Sequence, residues 1–195
     1  MDYSFYATIS RMKYIDRWAL MRNTREENLS EHSLEVAMIA HALCVIGNTR
    51  YDKSLDAEHA AMIGIYHDAS EIITGDMPTP IKYYNKDIKA AFKDIETEAN
   101  KKLLRKLPED LQEAYRDIFF KEDSHAYEWR LVKAADKLSA MIKCLEEEKT
   151  GNREFVKARE ATEATVNRLA EELPEVGDFM RDFMPAFTRT LDELS

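Results

Sequence analysis

The chain has 195 residues, of which 45% are hydrophobic and 33% are charged, and its formal net charge is −9 at pH 7. This length and composition predict one domain over residues 1–195 with a buried core, and the negative charge argues against binding a nucleic-acid polymer. The longest apolar run, residues 36–46, is shorter than the roughly 20 residues of a membrane span, and two cysteines make no disulfide framework, so we expect a cytoplasmic protein that does not span a membrane.

Helical periodicity predominates along the chain, with no convincing strand alternation and no internal repeat, which predicts an all-α, irregular helical bundle. The predicted helices cover about residues 3–14, 30–46, 56–75, 86–106, 108–120, 125–149, 152–172 and 175–194. Asn28 or Ser30 can cap the second helix, and Gly47 is expected to end it. Gly75 is expected to end the third helix, and Pro185 should kink or divide the last one.

The stretch "IYHDASEIITGDMPTP", residues 65–80, raises the first question of function. If it is one continuous helix up to Gly75, a rotation of about 100° per residue places His67, Asp68 and Glu71 in one polar sector beside the apolar stripe. Polar groups that border a core need partners. A hydrated helix end would satisfy them, and so would a divalent transition metal ion, for which imidazole and carboxylate are suitable ligands.

A metal site needs further ligands, and the sequence offers two candidates. His32 lies at the start of the second helix, in "NLSEHSLEVAMIA", and Asp136 lies among apolar residues in "LVKAADKLSAM". Each has an ordinary alternative: His32 can be a plain helix-start residue, and Asp136 can form an ion pair with Lys133 one turn earlier. The residues taken one at a time leave both alternatives open.

The ordered set His32, His67-Asp68 and Asp136 resembles that of the HD-domain metal-dependent phosphohydrolases. Three longer segments are similar to the bacterial HD-domain 5'-deoxynucleotidases: "RMKYIDRWALMRNTREENLSEHSLEVAMIAHAL", "YHDASEIITGDMPTPIKYYN" and "LVKAADKLSAMIKCLEE". The similarity extends over most of the chain. It implies an HD-type helical bundle and an enzyme that hydrolyses 2'-deoxynucleoside 5'-monophosphates to a deoxynucleoside and phosphate.

The resemblance also implies roles for residues. His32, His67, Asp68 and Asp136 would ligate one divalent transition metal ion, and Co, Mn, Zn, Fe and Ni all fit two imidazoles with two carboxylates. Glu71 would be the general acid/base; the alternative is a residue that only orients His67.

By the same resemblance, Arg17 would hold the phosphate and Trp18 would pack near the 2' carbon of the sugar, where it would reject a ribose hydroxyl. Without the resemblance, Trp18 would be interpreted as a core or interface residue, and residues 76–79 as a helix-breaking turn. The predicted substrate-binding residues are Arg17, Trp18, His32, Asp68, Asp76, Met77, Pro78, Thr79 and Asp136.

Three histidines remain outside this set. His41 is predicted to be a satisfied core histidine, because it points away from His32 on the same helix, and His59 is predicted to be solvated or capping. His125 is the one histidine that could contribute to a second metal site between the His-Asp pair and Asp136. The chain lacks a tandem His-His-Glu pattern, so a second catalytic metal is not expected.

The resemblance further implies a homodimer. Apolar residues near the C-terminus could form its contact or could instead close the core of the monomer: Phe179, Met180, Phe183 and Phe187. Two rival functions stay open at this point. One is another HD phosphohydrolase acting on a nucleoside di- or triphosphate or a modified nucleotide, and the other is a nucleotide sensor that keeps the metal without hydrolysis.

Overall fold

The computed structural model describes residues 2–78, 81 and 84–195, and within them it confirms the all-α prediction. Those residues form no sheet, and the one β-bridge they contain joins Asp16 to Asn28. The α-helices are α1 Phe5–Ile9, α2 Leu29–Arg50, α3 Ala57–Tyr66, α4 Glu71–Thr74, α5 Lys86–Leu104, α6 Glu109–Gln112, α7 Arg116–Phe119, α8 Ala126–Lys149, α9 Val156–Glu172 and α10 Pro174–Asp182. Short 3₁₀ segments are Ser10–Tyr14, Glu113–Tyr115, Asp123–His125, Arg153–Phe155, Met184–Thr188 and Leu191–Leu194.

Helix α2 is central, as its nearly uniform apolar composition predicts, and it packs against α3, α8 and α10. Side chains such as Leu43, Ile63, Leu138 and Val176 form the main core there, and Phe5 belongs to a second apolar cluster around α1 and α5. By length and composition the 22 residues of α2 could cross a membrane, yet 56% of its most apolar window is buried inside the protein. A buried core helix can have the same length and apolar composition as a membrane span.

The prediction that α2 ends at Gly47 is wrong, because the helix continues to Arg50. A Cβ atom at Gly47 would lie 2.8 Å from the Glu175 Oε1 atom and 2.9 Å from the Leu55 Cδ1 atom. Glycine at this position leaves room for the ends of these two side chains, and it does not end the helix. The beginning of α2 follows the prediction, since the Asn28 side chain accepts hydrogen bonds from the first turn of the helix.

The third predicted helix is not continuous to Gly75. Helix α3 ends at Tyr66, residues 67–70 form a turn, and α4 follows. The Nδ1 atom of His67 donates a hydrogen bond of 2.8 Å to the carbonyl of Gly64, which an uninterrupted helix would offer to the amide of Asp68. The next amides bond three residues back instead of four. Gly75 ends α4 with φ at 73°, as expected for a helix stop.

Two other predicted helices are divided. Residues 108–120 form α6, a 3₁₀ segment and α7, and the last predicted helix stops at Asp182, before Pro185. The apolar residues considered for a dimer contact mostly face inward: Phe179 is buried, whereas Met180 and Phe187 pack against the main core. Phe183 is the exposed member of that set, at 44%. This face therefore closes the core of the monomer.

Candidate active site

Four of the predicted site residues converge from three helices. His32 lies in the first turn of α2, His67 and Asp68 follow α3 directly, and Asp136 lies in the middle of α8. Ligand atoms of His32, His67 and Asp68 lie within 4.8 Å of one another. Asp136 adjoins this group, with its Oδ1 atom 3.3 Å from the Nε2 atom of His32. The close α2–α3 crossing depends on Gly64, whose Cβ would lie 2.7 Å from the Ala37 backbone.

Hydrogen bonds at Nδ1 fix the orientation of both imidazole rings. Ser139 donates its hydroxyl hydrogen to Glu35 at 2.6 Å, so its oxygen, 3.0 Å from the Nδ1 atom of His32, must accept from that nitrogen. The Nδ1 atom of His67 donates to a backbone carbonyl. Each imidazole therefore uses Nδ1 for this support and turns its Nε2 atom, the nitrogen available to a metal ion, toward the carboxylates. Both Nε2 atoms are shielded from solvent and have no hydrogen-bond partner among the described residues, which fits a site for a cation.

The charges at this point favour a positive ion. Burial opposes the charged form of His67, but the carboxylate of Asp68, 3.0 Å from its Nε2 atom, outweighs burial and raises the pKa of His67 to about 9. The reverse effect lowers the pKa of Asp68 to about 2, again against burial. The pKa of His32 is lowered by burial and by the positive charge of Arg17. Two anionic carboxylates thus flank two imidazoles in a buried pocket.

Asp136 is held anionic as well. Burial raises its pKa, but Lys137 and His32 outweigh burial and keep the pKa well below its usual value. The Nζ atom of Lys137 lies 2.9 Å from the Asp136 Oδ2 atom. The ion pair that sequence reasoning offered as the alternative involved Lys133, whereas the structure places the neighbouring Lys137 against Asp136. The other oxygen, Oδ1, faces His32.

Glu71 begins α4, three residues after Asp68, and its side chain is buried, at 7% exposure. The backbone amide of Glu71 donates to the carbonyl of Asp68 at 2.9 Å, which ties the two residues into one turn. The turn, rather than the continuous helix predicted from sequence, sets the relation between Glu71 and the histidines. A buried carboxyl so close in the chain to the cluster fits the acid/base role or the orienting role.

Arg17 and Trp18 share one partner that sequence reasoning missed. The carboxylate of Glu27 accepts hydrogen bonds of 2.6 Å from the Arg17 guanidinium and 3.1 Å from the Trp18 indole. The backbone aligns them, because the Arg17 amide donates to the Glu27 carbonyl at 2.9 Å. Burial disfavours the charge of Arg17, but Glu27 and the acidic side chains at positions 136, 68 and 76 raise its pKa. The guanidinium of Arg17 therefore stays charged in the presence of these carboxylates.

The backbone of Trp18 is held in an uncommon conformation, with φ at 59°. A non-glycine residue in this region costs about 1–3 kcal/mol and persists where its surroundings fix it. The indole ring packs 5.4 Å from the ring of Phe155, and Asn23 donates a hydrogen bond to the Trp18 carbonyl at 3.2 Å. These two contacts hold the strained residue in place.

The loop that carries these residues is fastened to α8. Glu147, buried at 1% exposure, accepts hydrogen bonds from the Thr24 amide at 2.9 Å and the Thr24 hydroxyl at 2.6 Å. Lys143 lies 2.5 Å from the same carboxylate. Burial raises the pKa of Glu147, but the bonds from Lys143 and Thr24 lower it overall. Because α8 also carries Asp136, this network fixes the loop relative to the cluster.

The predicted substrate loop follows α4. Asp76 is exposed, and its pKa is raised by partial desolvation and by Asp68, against the attraction of Arg17. Met77 and Pro78 are half-buried and lie outside any helix. Thr79, the last predicted member of this loop, lies outside the described residues.

His41 is exposed, so its assignment to the core is wrong. It points away from His32, as its spacing of nine residues on α2 predicts, but that direction leads to solvent. His59, predicted to be solvated or capping, packs instead against the ring of His125. Its backbone amide, not its side chain, takes part in the helix cap provided by Asp56.

Comparison with known proteins identifies relatives over nearly the whole chain. A family model described as "5'-deoxynucleotidase YfbR-like" matches residues 4–187. A protein of Yersinia pestis (strain Pestoides F) named 5'-deoxynucleotidase is 49% identical over 194 residues, which cover 98% of this chain and 96% of the relative.

Solved structures show the same fold. An HD-domain phosphohydrolase from Listeria innocua superposes with a TM-score of 0.81 at 21% identity, covering 94% of this chain and 88% of the other. An HD phosphohydrolase of cyanophage S-2L, bound to dA and one catalytic Zn²⁺ ion, superposes with a TM-score of 0.59 at 19% identity, covering 94% and 96%. At these identities the likeness concerns the fold alone.

Proposed function

Because this chain belongs to the YfbR-like 5'-deoxynucleotidase family, we propose that it hydrolyses 2'-deoxynucleoside 5'-monophosphates to a deoxynucleoside and inorganic phosphate. The convergence of His32, His67, Asp68 and Asp136 from separate helices carries this proposal. A purely structural bundle has no need to gather two imidazoles and two carboxylates from separate helices in one buried place. The proposed catalytic unit is one domain over residues 1–195.

His32, His67, Asp68 and Asp136 would hold one divalent transition metal ion. Their donor set fits such an ion, since both imidazoles direct Nε2 toward two anionic carboxylates, and a bound cation would take the place of the proton that Asp68 favours on His67. Co, Mn, Zn, Fe and Ni are all compatible with it. When bound, the ion supplies an activated water and positive charge that stabilises the phosphoryl oxygens.

The Ser139–His32 hydrogen bond gives a test of the ligand set. Replacing Ser139 with alanine removes the acceptor that orients His32, so the affinity for a divalent ion should fall by about 10–100-fold. Competition with a chelator measures that affinity, and Ser54→Ala, at an exposed serine, is the control. Unchanged affinity in Ser139→Ala would mean that His32 needs no such support or is not a ligand.

Within the site, the buried carboxyl of Glu71 would take the proton of the attacking water and return a proton to the leaving 5' oxygen. The guanidinium of Arg17 donates one hydrogen bond to Glu27 and keeps further N–H groups for phosphate oxygens. The loop of Asp76, Met77, Pro78 and Thr79 would complete the substrate contacts. Phosphoryl transfer needs mainly such alignment and charge neutralisation.

Trp18 would set the choice of sugar. The indole is fixed by Glu27 and Phe155, so it cannot easily move away from an added 2' hydroxyl. We expect the ratio of kcat/KM for a deoxynucleoside over a ribonucleoside monophosphate of the same base to fall from about 10² to below about 10 in Trp18→Ala. Leu20→Ala, at an 81% exposed side chain of the same loop, is the control. Equal rates for both sugars in the unmodified protein would remove this role.

A phosphate-release screen tests the function itself. Metal-stripped protein is assayed on deoxynucleoside monophosphates, ribonucleoside monophosphates and deoxynucleoside triphosphates, each with a series of divalent ions. Fastest release from deoxynucleoside monophosphates supports the proposal. Preferred cleavage of triphosphates would favour another HD phosphohydrolase activity, and tight nucleotide binding without release would favour a sensor.

We also propose that the protein acts in the cytoplasm as a homodimer. The family resemblance motivates both statements. Of the apolar residues considered for the contact, Phe183 keeps substantial exposure, so it is the one available to a partner subunit. Size-exclusion chromatography with light scattering measures the oligomeric state, and a monomer at micromolar concentration would contradict this part.

A further inference from the structure

A second cluster of metal-ligating side chains lies at the opposite end of α3. His59 is in the first turn of α3, Asp117 is in α7, and His125 ends the 3₁₀ segment before α8. One ligand atom of each lies within 4.8 Å of the others. His59 precedes His67 by eight residues, which is about 12 Å along a helix axis. The cluster is therefore separate from the candidate active site.

The geometry of this cluster differs from that of an ordinary ion pair. The imidazole rings of His59 and His125 face each other with centroids 4.1 Å apart and planes inclined by 35°. The His59 Nδ1 atom lies 3.8 Å from the Asp117 Oδ2 atom, and the His125 Nδ1 atom lies 3.9 Å from the Glu128 Oε1 atom. Direct charge-assisted hydrogen bonds would bring such atoms to about 2.7–2.9 Å.

Two nitrogens in this cluster are left unsatisfied. The Nε2 atom of His59 and the Nδ1 atom of His125 are shielded from solvent and have no hydrogen-bond partner within the described part of the chain. Buried polar atoms without partners are rare in folded proteins, and an ion that the side chains are built to hold is one physical explanation. Protonating both rings would not resolve the arrangement, because two imidazolium rings in contact repel each other.

We propose that His59, Asp117 and His125 bind a divalent transition metal ion, with Zn²⁺ as the preferred cation. Two imidazoles and one carboxylate are borderline ligands that suit Zn²⁺, whereas Mg²⁺ and Ca²⁺ take oxygen ligands. With bonds of about 2.0–2.2 Å, donors in a tetrahedral shell lie about 3.4 Å apart. The separations, which are at most 4.8 Å, therefore have to shorten by no more than about 1.4 Å. Water or Glu128 would complete the coordination.

Such an ion would join α7 to α3 and α8, the two helices that also position His67, Asp68 and Asp136 of the candidate active site. Helix α3 leads from His59 to His67, and α8 leads from His125 to Asp136, while α7 packs against α3. Binding at one end of α3 and α8 would hold their relative position, so the role is structural rather than catalytic. This inference does not depend on the proposed nucleotidase function.

Zinc stoichiometry tests the proposal. The full chain is stripped with a chelator, equilibrated at a buffered free Zn²⁺ concentration and analysed for bound zinc. We expect two zinc ions in the unmodified protein and in His41→Gln, a control at an exposed histidine of α2. One ion is expected in Asp117→Asn, in His125→Gln and in Asp68→Asn. Co²⁺ should reproduce this pattern, and Asp117→Asn should lose the part of the d–d absorption that belongs to the second ion.

Two results of the zinc measurement would contradict the second metal site. Equal zinc content in the unmodified protein and in Asp117→Asn overturns the second site, and so does an Asp68→Asn protein that binds none. Zinc should also raise the Tm of the Asp68→Asn protein by about 5–10 °C at a hundredfold excess over Kd. The double variant Asp68→Asn/Asp117→Asn should show no such rise. If His125→Gln fails to fold, Asp117→Asn decides the question, because the Asp117 side chain is 38% exposed. No readout uses turnover, so failure of the nucleotidase proposal would be recognised separately.

Discussion

Replacing Glu71 with glutamine is expected to lower kcat for phosphate release by about 10²–10⁴-fold, the range for loss of a positioned general acid/base. Glutamine keeps the size of the side chain in its buried site but cannot accept and return a proton. The bound divalent ion should stay, since Glu71 is not among the proposed ligands. Steady-state kinetics with a deoxynucleoside monophosphate, together with metal content, measures both effects.

The metal content distinguishes the two roles open to Glu71. If Glu71 only orients His67, the substitution should weaken metal binding, and added metal should restore much of the rate. If Glu71 transfers protons, excess metal restores nothing. Glu98→Gln, at an exposed glutamate of α5, controls for the loss of one surface charge. Full activity in Glu71→Gln would exclude both roles.

The helical nature of the bundle follows from periodicity, but the helix ends do not. Gly47 has the local signature of a stop, yet α2 passes through it, and the ends of the Glu175 and Leu55 side chains occupy the space that a side chain there would need. The break after Tyr66 is hidden for the opposite reason. The residues there have a helical pattern, but the side chain of His67 donates a hydrogen bond to the Gly64 carbonyl, which a continuing helix would offer to a backbone amide. Both outcomes depend on contacts that periodicity does not encode.

The candidate ligands could be predicted because the family resemblance singles out four residues in a fixed order. Their supporting residues could not, since these act across long sequence separations. Glu35 and Ser139 each lie three residues after a predicted ligand, on the same helix face, and that spacing is the only local signal of their network. Glu27 offers none, because it is one of several charges in an irregular loop until the fold brings Arg17 and Trp18 to it.

Replacing Asp68 with asparagine is expected to lower phosphate release by at least about 10³-fold, because the site loses a ligand and a negative charge that hold its ion. The Asp68 Oδ2 atom lies 3.0 Å from the His67 Nε2 atom and 3.6 Å from the His32 Nε2 atom, so it is central to the cluster. Asparagine has nearly the same shape, and the loss should therefore be one of charge and coordination. Phosphate release and metal retention after dialysis measure the two consequences.

Asp94→Asn, at an exposed aspartate of α5, gives the effect of removing a carboxylate elsewhere and should retain full activity. The sharper comparison is the double variant Asp68→Asn/Asp136→Asn. If both carboxylates hold one ion, the double variant should release phosphate only slightly more slowly than Asp68→Asn alone. The effects of substituting residues that act as a unit are strongly non-additive. Multiplied losses would instead mean independent roles, and an Asp68→Asn protein with its metal and turnover intact would show that no ion is shared at this point of the fold.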